Sequence, residues 1–152
     1  MNKKCLITGI AGFIASNLTE KLLELNYNIL GIDDLSTGKL ENIPNNCNFE
    51  KISILEIEKL DNIFKSYKPN IVFHLAALPR VQFSIKNPEL THNTNINGTF
   101  NLLLKSKEYN VDRFIYSSSS CHFLPYYIDT IFLKIHKKLA FINLSILLLL
   151  GS

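Results

Sequence analysis

An α/β domain with its helices packed around a parallel sheet is predicted by three observations. Short apolar runs alternate along the chain with segments of helical periodicity. One of those runs, Ile71 to Leu75, is apolar almost throughout, as strands buried on both faces of a parallel sheet are. A glycine-bearing turn joins the first run directly to the first helical segment.

Taken in order, Lys3 to Thr8 reads as the first strand, and from Phe13 onward Ile14, Leu18, Leu22 and Leu25 recur on one helix face. Asn28 to Asp33 is the second strand and Asn48 to Ile54 the third. Ile57 to Ser66 is a helix that places Ile57, Leu60, Ile63 and Phe64 on one side, and Pro69 and Asn70 then break the chain. The fourth strand is Ile71 to Leu75. After a loop, Pro88 opens a helical segment that runs to about Tyr109, and Arg113 to Ser117 is the fifth strand. Right-handed crossovers make this a Rossmann-like sheet of order 3-2-1-4-5, which the sequence ends after the fifth strand.

Composition narrows the function classes. The chain has 152 residues, 47% hydrophobic and 19% charged, enough for one core. A net charge of +3, with the basic residues scattered, gives no stripe that could follow a phosphate backbone, so nucleic acid is not expected as a partner. Cys5, Cys47 and Cys121 form neither a close pair nor a cluster with histidine at metal spacing, so no metal site is expected and a reducing cytoplasm is. Glycines inside the first apolar run argue against a secretory signal. The apolar run Leu139 to Leu150 falls short of the roughly 20 residues a membrane span needs, leaving a membrane tail only as a minor alternative.

The chemistry lies in two places. Thr8-Gly9-Ile10-Ala11-Gly12-Phe13-Ile14-Ala15 is a G-x-x-G-x-x-A turn between strand and helix. Gly9 permits the tight turn, Gly12 lets the backbone approach a pyrophosphate, and Ala15 is small enough for helix and strand to pack closely. The helix start that follows, at Phe13 and Ile14, offers unpaired N–H groups and about half a positive charge to phosphate. Asp33 ends the second strand at close to the ~20 residues after the glycines where an acid binds a ribose 2′-hydroxyl. That acid repels a 2′-phosphate, so NAD is expected rather than NADP.

These motifs together resemble the extended short-chain dehydrogenases/reductases, and among them the NAD-dependent nucleotide-sugar 4-epimerases of the UDP-glucose or UDP-N-acetylglucosamine type. The likeness runs from about Lys3 to Ser120. Thr8 to Ala15 looks like the family's T-G-x-x-G-F-I-G, with Ala15 in place of the last glycine. Asp33-Asp34-Leu35-Ser36-Thr37-Gly38 is similar to D-N-L-S-T-G, and the resemblance implies that this loop wraps the adenosine end of NAD. His74-Leu75-Ala76-Ala77 resembles H-x-A-A, where Leu75, Ala76 and Ala77 leave room for the cofactor and His74 is a packed strand-end residue. Thr94-Asn95-Ile96-Asn97-Gly98-Thr99 resembles N-x-x-G-T, with Thr94 facing the cofactor. Phe114 to Ser120 resembles the strand ending in the catalytic serine, which matches Ser119. By the same likeness the partner is a UDP-sugar and the intact proteins are homodimers.

The departures are equally specific. Where the family places an acid beside the adenine this chain has Ser53, next to Ile54, and both are counted with the cofactor wall. Pro79 replaces a lysine that touches the phosphates in some 4-epimerases, so Arg80 substitutes only loosely. The family's Tyr-x-x-x-Lys pair deprotonates the sugar 4-hydroxyl, yet none of the six tyrosines has a lysine four residues later.

After Ser120 the likeness stops. The expectation is therefore an NAD-binding part over 1–120, an aberrant apolar tail over 121–152 that is out of frame, and no C-terminal substrate domain. If Ser145-Ile146-Leu147 is encoded TCC-ATA-CTN, it reads Pro-Tyr one base later, the opening of the catalytic motif. The functional expectation is an NAD-binding fragment of a 4-epimerase, inactive as this chain. The alternatives are a non-catalytic NAD-binding module and a related sugar-nucleotide dehydratase.

Overall fold

Alternation along each strand decides which side chains go to which face of the sheet. In the computed structural model, which describes residues 3–118 and 139–143, β1 (Lys4–Thr8), β2 (Asn28–Asp33), β3 (Asn48–Lys51), β4 (Ile71–His74) and β5 (Arg113–Ser118) are all parallel, in the order β3-β2-β1-β4-β5. Leu6, Leu30, Ile32, Val72 and Phe114 point to one side, where they meet Leu60, Ile63 and Phe64 of α2 (Ile57–Tyr67). Cys5, Ile7, Ile29, Ile71 and Phe73 point to the other, against Ala15 and Leu22 of α1 (Phe13–Glu24). Two cores with helices on both faces follow, the doubly wound arrangement that the strand pattern predicts.

The structure departs from the sequence expectation in three places. The third strand stops at Lys51 rather than Ile54, because Ser53 bends the chain: its carbonyl accepts the Glu56 N–H at 3.0 Å and its hydroxyl the Leu55 N–H at 3.3 Å. Ile52 and Ile54 thereby turn into the core. The expected loop before Pro88 carries α3 (Val81–Lys86), and the single helix expected from Pro88 divides into α4 (Pro88–His92), a π-helical turn (Asn93–Gly98) and α5 (Thr99–Glu108). Leu102 and Leu103 of α5 complete the core on the α2 side. Outside that core, Asp61 of α2 accepts from Lys105 Nζ at 2.5 Å and from the Tyr109 hydroxyl at 3.0 Å, tying α2 to α5.

The sheet also continues one strand past the expected end. Residues Leu139–Asn143 form β6, parallel to β5 from Phe114↔Leu139 to Ser118↔Asn143. An unpartnered β5 would leave a row of open N–H and C=O groups, and this run of strand-compatible residues supplies their partners. Ser119, the tyrosines at 126 and 127 and the 145–147 triplet lie outside the described residues.

Candidate functional site

β1 lies between β2 and β4, so the connections leaving β1 and β4 run to opposite faces of the sheet and part at its carboxyl edge. Such a switch point opens a crevice in a parallel sheet. Here it is a cavity of about 260 Å³ bounded by the turn after β1, the loop after β2 and the loop after β4.

The turn after β1 is held in one shape from three sides. Gly9 adopts φ 74°, the left-handed region, and a β-carbon there would stand 2.7 Å from the Ala76 nitrogen. Gly12 N–H donates to the Gly9 carbonyl at 2.9 Å, closing the turn. Ala11 is strapped to the loop after β2: its N–H donates to Asp33 Oδ2 at 3.0 Å, and its carbonyl accepts from Lys39 N–H at 3.3 Å and Asn42 Nδ2 at 3.0 Å. A β-carbon on Gly38 would lie 2.6 Å from the Ala11 β-carbon, so the two loops touch. α1 then begins at Phe13 with no side-chain cap and no acid in its first turn. Its first N–H groups have no partner within the helix, which leaves a positive end available to an anion.

Asp33 has a second bond in place. Its Oδ1 accepts the Leu35 N–H at 2.7 Å, so each carboxylate oxygen holds one loop and keeps a lone pair for a further donor. Leu35 takes φ 61°, an uncommon conformation for a branched residue, and that amide bond offsets its strain.

The wall after β4 is fixed from behind. Asn95 of the π-helical turn clamps Leu78 at both backbone groups, accepting its N–H at 2.8 Å and donating to its carbonyl at 3.1 Å. His74, only 1% exposed, sits between the Thr8 and Thr99 hydroxyls at 2.7 and 2.8 Å. Burial pushes its pKa down to about 3, so the ring is neutral.

Of the residues singled out from sequence, Gly9, Gly12, Phe13, Asp33, Asp34, Ser36, Thr37, Gly38, Ile54, Leu75, Ala76, Ala77 and Thr94 line this cavity. Ile14, Leu35 and Ser53 do not. Ile14 belongs to the first turn of α1, Leu35 enters the site through its amide, and the Ser53 hydroxyl is occupied by Leu55. Arg80 caps the start of α3 and does not line the cavity. The structure adds Ala11, Ile32, Lys39, Asn42, Ile52 and Leu78. Ala11 lay inside the recognised turn, whereas Lys39 and Asn42 follow the loop likeness and carry no signal of their own. Among the described residues no group of three metal-ligating side chains comes together, and no helix is long and apolar enough to cross a membrane.

Residues 5–126 match the model of the NAD dependent epimerase/dehydratase family. The chain belongs to that family. Among the relatives of this epimerase/dehydratase-family chain is a putative UDP-glucose 4-epimerase of Methanocaldococcus jannaschii, 35% identical over 114 residues that make up 75% of this chain and 37% of the relative. A crystal structure of UDP-glucose 4-epimerase with UDP-glucose from Thermotoga maritima superposes with a TM-score of 0.75 at 43% identity, covering 76% of this chain and 38% of the other. The Thermus thermophilus UDP-glucose 4-epimerase in complex with NAD gives a TM-score of 0.74 at 34% identity, over 76% and 37%. This epimerase/dehydratase-family chain thus matches the N-terminal part of UDP-sugar 4-epimerases and spans under two fifths of the length of the curated relatives it matches first, 38% and 37%.

Proposed function

We infer that this chain is the NAD-binding part of a nucleotide-sugar 4-epimerase and that, as 152 residues, it holds the cofactor without turning over sugar. The observation carrying the reading is the Asp33 carboxylate. It is braced on the Gly-rich turn and on its own loop, with acceptor capacity left at the mouth of the cavity. A ribose diol fits those lone pairs, and a charge-assisted hydrogen bond there is worth about 1.5–3 kcal/mol.

The residues present suit NAD. The uncapped start of α1 and the close approach allowed by Gly9 and Gly12 would hold the pyrophosphate. Asp34, Ser36, Thr37 and Gly38 would border the adenosine, with Ile54 as an apolar surface for the adenine, and Leu75, Ala76, Ala77 and Thr94 would line the path toward the nicotinamide. The cavity of about 260 Å³ would hold part of the dinucleotide, with the remainder outside it. When bound, NAD supplies a hydride acceptor for the sugar C4. By the family likeness Ser119 would orient the sugar hydroxyl. No tyrosine here has a lysine four residues on to take that hydroxyl's proton, which supports binding without turnover.

Calorimetric titration with NAD and NADP, beside an assay for UDP-glucose and UDP-galactose interconversion, tests this. The expectation is NAD binding that exceeds NADP binding and weakens at least about ten-fold in Asp33→Ala, with no interconversion. Absence of NAD binding, or measurable interconversion, overturns the corresponding half of the reading.

A further inference from the structure

Behind the wall of the cleft runs a chain of hydrogen bonds that the cofactor contacts do not require. It starts at the Asn95 carbonyl, which can only accept, so the Thr99 hydroxyl donates to it at 2.7 Å. Thr99 Oγ1 has then used its one proton and must accept from His74 Nε2 at 2.8 Å. A neutral imidazole carries one N–H, so Nδ1 is bare and accepts from the Thr8 hydroxyl at 2.7 Å. The Thr8 oxygen in turn accepts the Ala76 N–H at 3.2 Å. A carbonyl at one end and an amide at the other thus set the direction of every bond and the tautomer of the ring.

Both ends of this relay hold the same segment. Thr8 fixes Ala76, the residue against which Gly9 is packed, and Asn95 clamps Leu78 through its amide. Asn95 sits in the π-helical turn, and such turns are frequent where a helix serves a site. The adjacent Thr94 lines the cavity. A buried network that is fully satisfied rigidifies its surroundings, whereas one missing partner leaves the remaining groups uncompensated.

We propose that His74, held as the Nε2–H tautomer between Thr8 and Thr99, and Asn95, clamped on Leu78, are positioning residues that set residues 75–78 as the wall of the dinucleotide cleft. The relay itself stands on the hydrogen bonds, and its effect on the cofactor rests on the NAD reading above. Thr→Val changes keep side-chain volume while removing the hydroxyl. Thr8→Val strips Ala76 of its acceptor. Thr99→Val strips the His74 Nε2–H of its acceptor, so the ring proton moves to Nδ1. Thr8→Ser and Thr99→Ser keep the hydroxyls and serve as rescues.

The test uses the full chain, with ring nitrogen shifts of His74, amide exchange at Ala76 and Leu78, and NAD titration. The wild type is expected to show a protonated Nε2 and a bare Nδ1, and Thr99→Val the reverse. Ala76 is expected to exchange at least about ten-fold faster in Thr8→Val and Leu78 similarly in Asn95→Ala, with both Ser variants near the wild type. NAD affinity should fall by about ten-fold in each disrupted variant and recover in the Ser variants. An Nδ1–H tautomer in the wild type, or unchanged exchange in Thr8→Val and Asn95→Ala, overturns the relay. Altered exchange with unchanged NAD affinity overturns its role in the cleft. If the wild type binds no NAD while the tautomer and exchange results hold, the NAD reading and the cleft role fall and the relay remains.

Discussion

Gly9 and Leu35 both have positive φ, yet the two positions differ in how much depends on the residue that occupies them. At Gly9 a side chain meets the left-handed penalty of about 1–2 kcal/mol and also a β-carbon 2.7 Å from the Ala76 backbone, which cannot swing aside. Gly9→Ala is therefore expected to lower the denaturation midpoint and abolish NAD binding, read by urea unfolding and calorimetry. At Leu35 glycine relieves a similar strain but adds about 0.5–1 kcal/mol of unfolded-state freedom and gives up the contacts of a half-buried side chain, so the terms nearly cancel. Leu35→Gly should stay within about 0.5 kcal/mol of the wild type in stability, with NAD affinity unchanged because the Asp33 bond is to the backbone. The first of these was legible in the sequence, since a glycine at the strand–helix junction announces its conformation. The second was not. A leucine gives no sign that it will be left-handed until the Asp33 carboxylate is seen holding its amide.

Among the elements, the strands were the easiest to read. Leu6, Leu30, Ile32 and Val72 alternate with Cys5, Ile7, Ile29 and Ile71, so period two alone separates the two cores. α2 was readable for the equivalent reason: Leu60, Ile63 and Phe64 share one helical face. Phe64 is fully buried at the seam between the sheet, α2 and α5, so Phe64→Ala should remove about 3–5 kcal/mol of stability, measured by chemical denaturation. What sequence could not show was the π-helical turn. The run Asn93-Thr94-Asn95-Ile96-Asn97-Gly98 has no periodicity that marks a wider turn, and its shape follows from tertiary partners: Leu78 against Asn95, His74 against Thr99, and Ile54 where a Gly98 β-carbon would go. β6 escaped notice for a different reason. A strand of apolar residues without alternation looks the same as any apolar run, and its register comes from β5.

For the molecule as a whole, the buried imidazole of His74 is expected to control part of the acid response. His74 has a folded pKa pushed from 6.5 down to about 3, so between those values the unfolded chain binds a proton that the folded chain does not. Its contribution is present above the unfolded pKa and lost as pH falls through that window. The slope of stability against pH should steepen there by about 1.4 kcal/mol per pH unit. Urea unfolding from pH 7 to pH 4 checks this against His74→Asn and His74→Gln; an unchanged slope in a folded variant sinks it. A second whole-molecule expectation concerns association. Val81, Ile85, Ile96 and Phe100, spread from α3 to α5, are exposed, and exposed apolar surface favours self-association. Sedimentation should show concentration-dependent association that Phe100→Glu reduces.

The two bonds at Asp33 carry a cost for anyone wishing to redesign this cleft. Exchanging the acid for a small polar residue and adding an arginine would admit a 2′-phosphate in principle. Here the same exchange would also release Ala11 and Leu35, so the glycine turn would loosen in the step meant only to alter selectivity. Under the NAD reading proposed above, cofactor preference and scaffold rigidity are entangled in one side chain. A successful switch needs a second change that supplies the lost acceptors, and the path between the two preferences passes through an intermediate that serves neither.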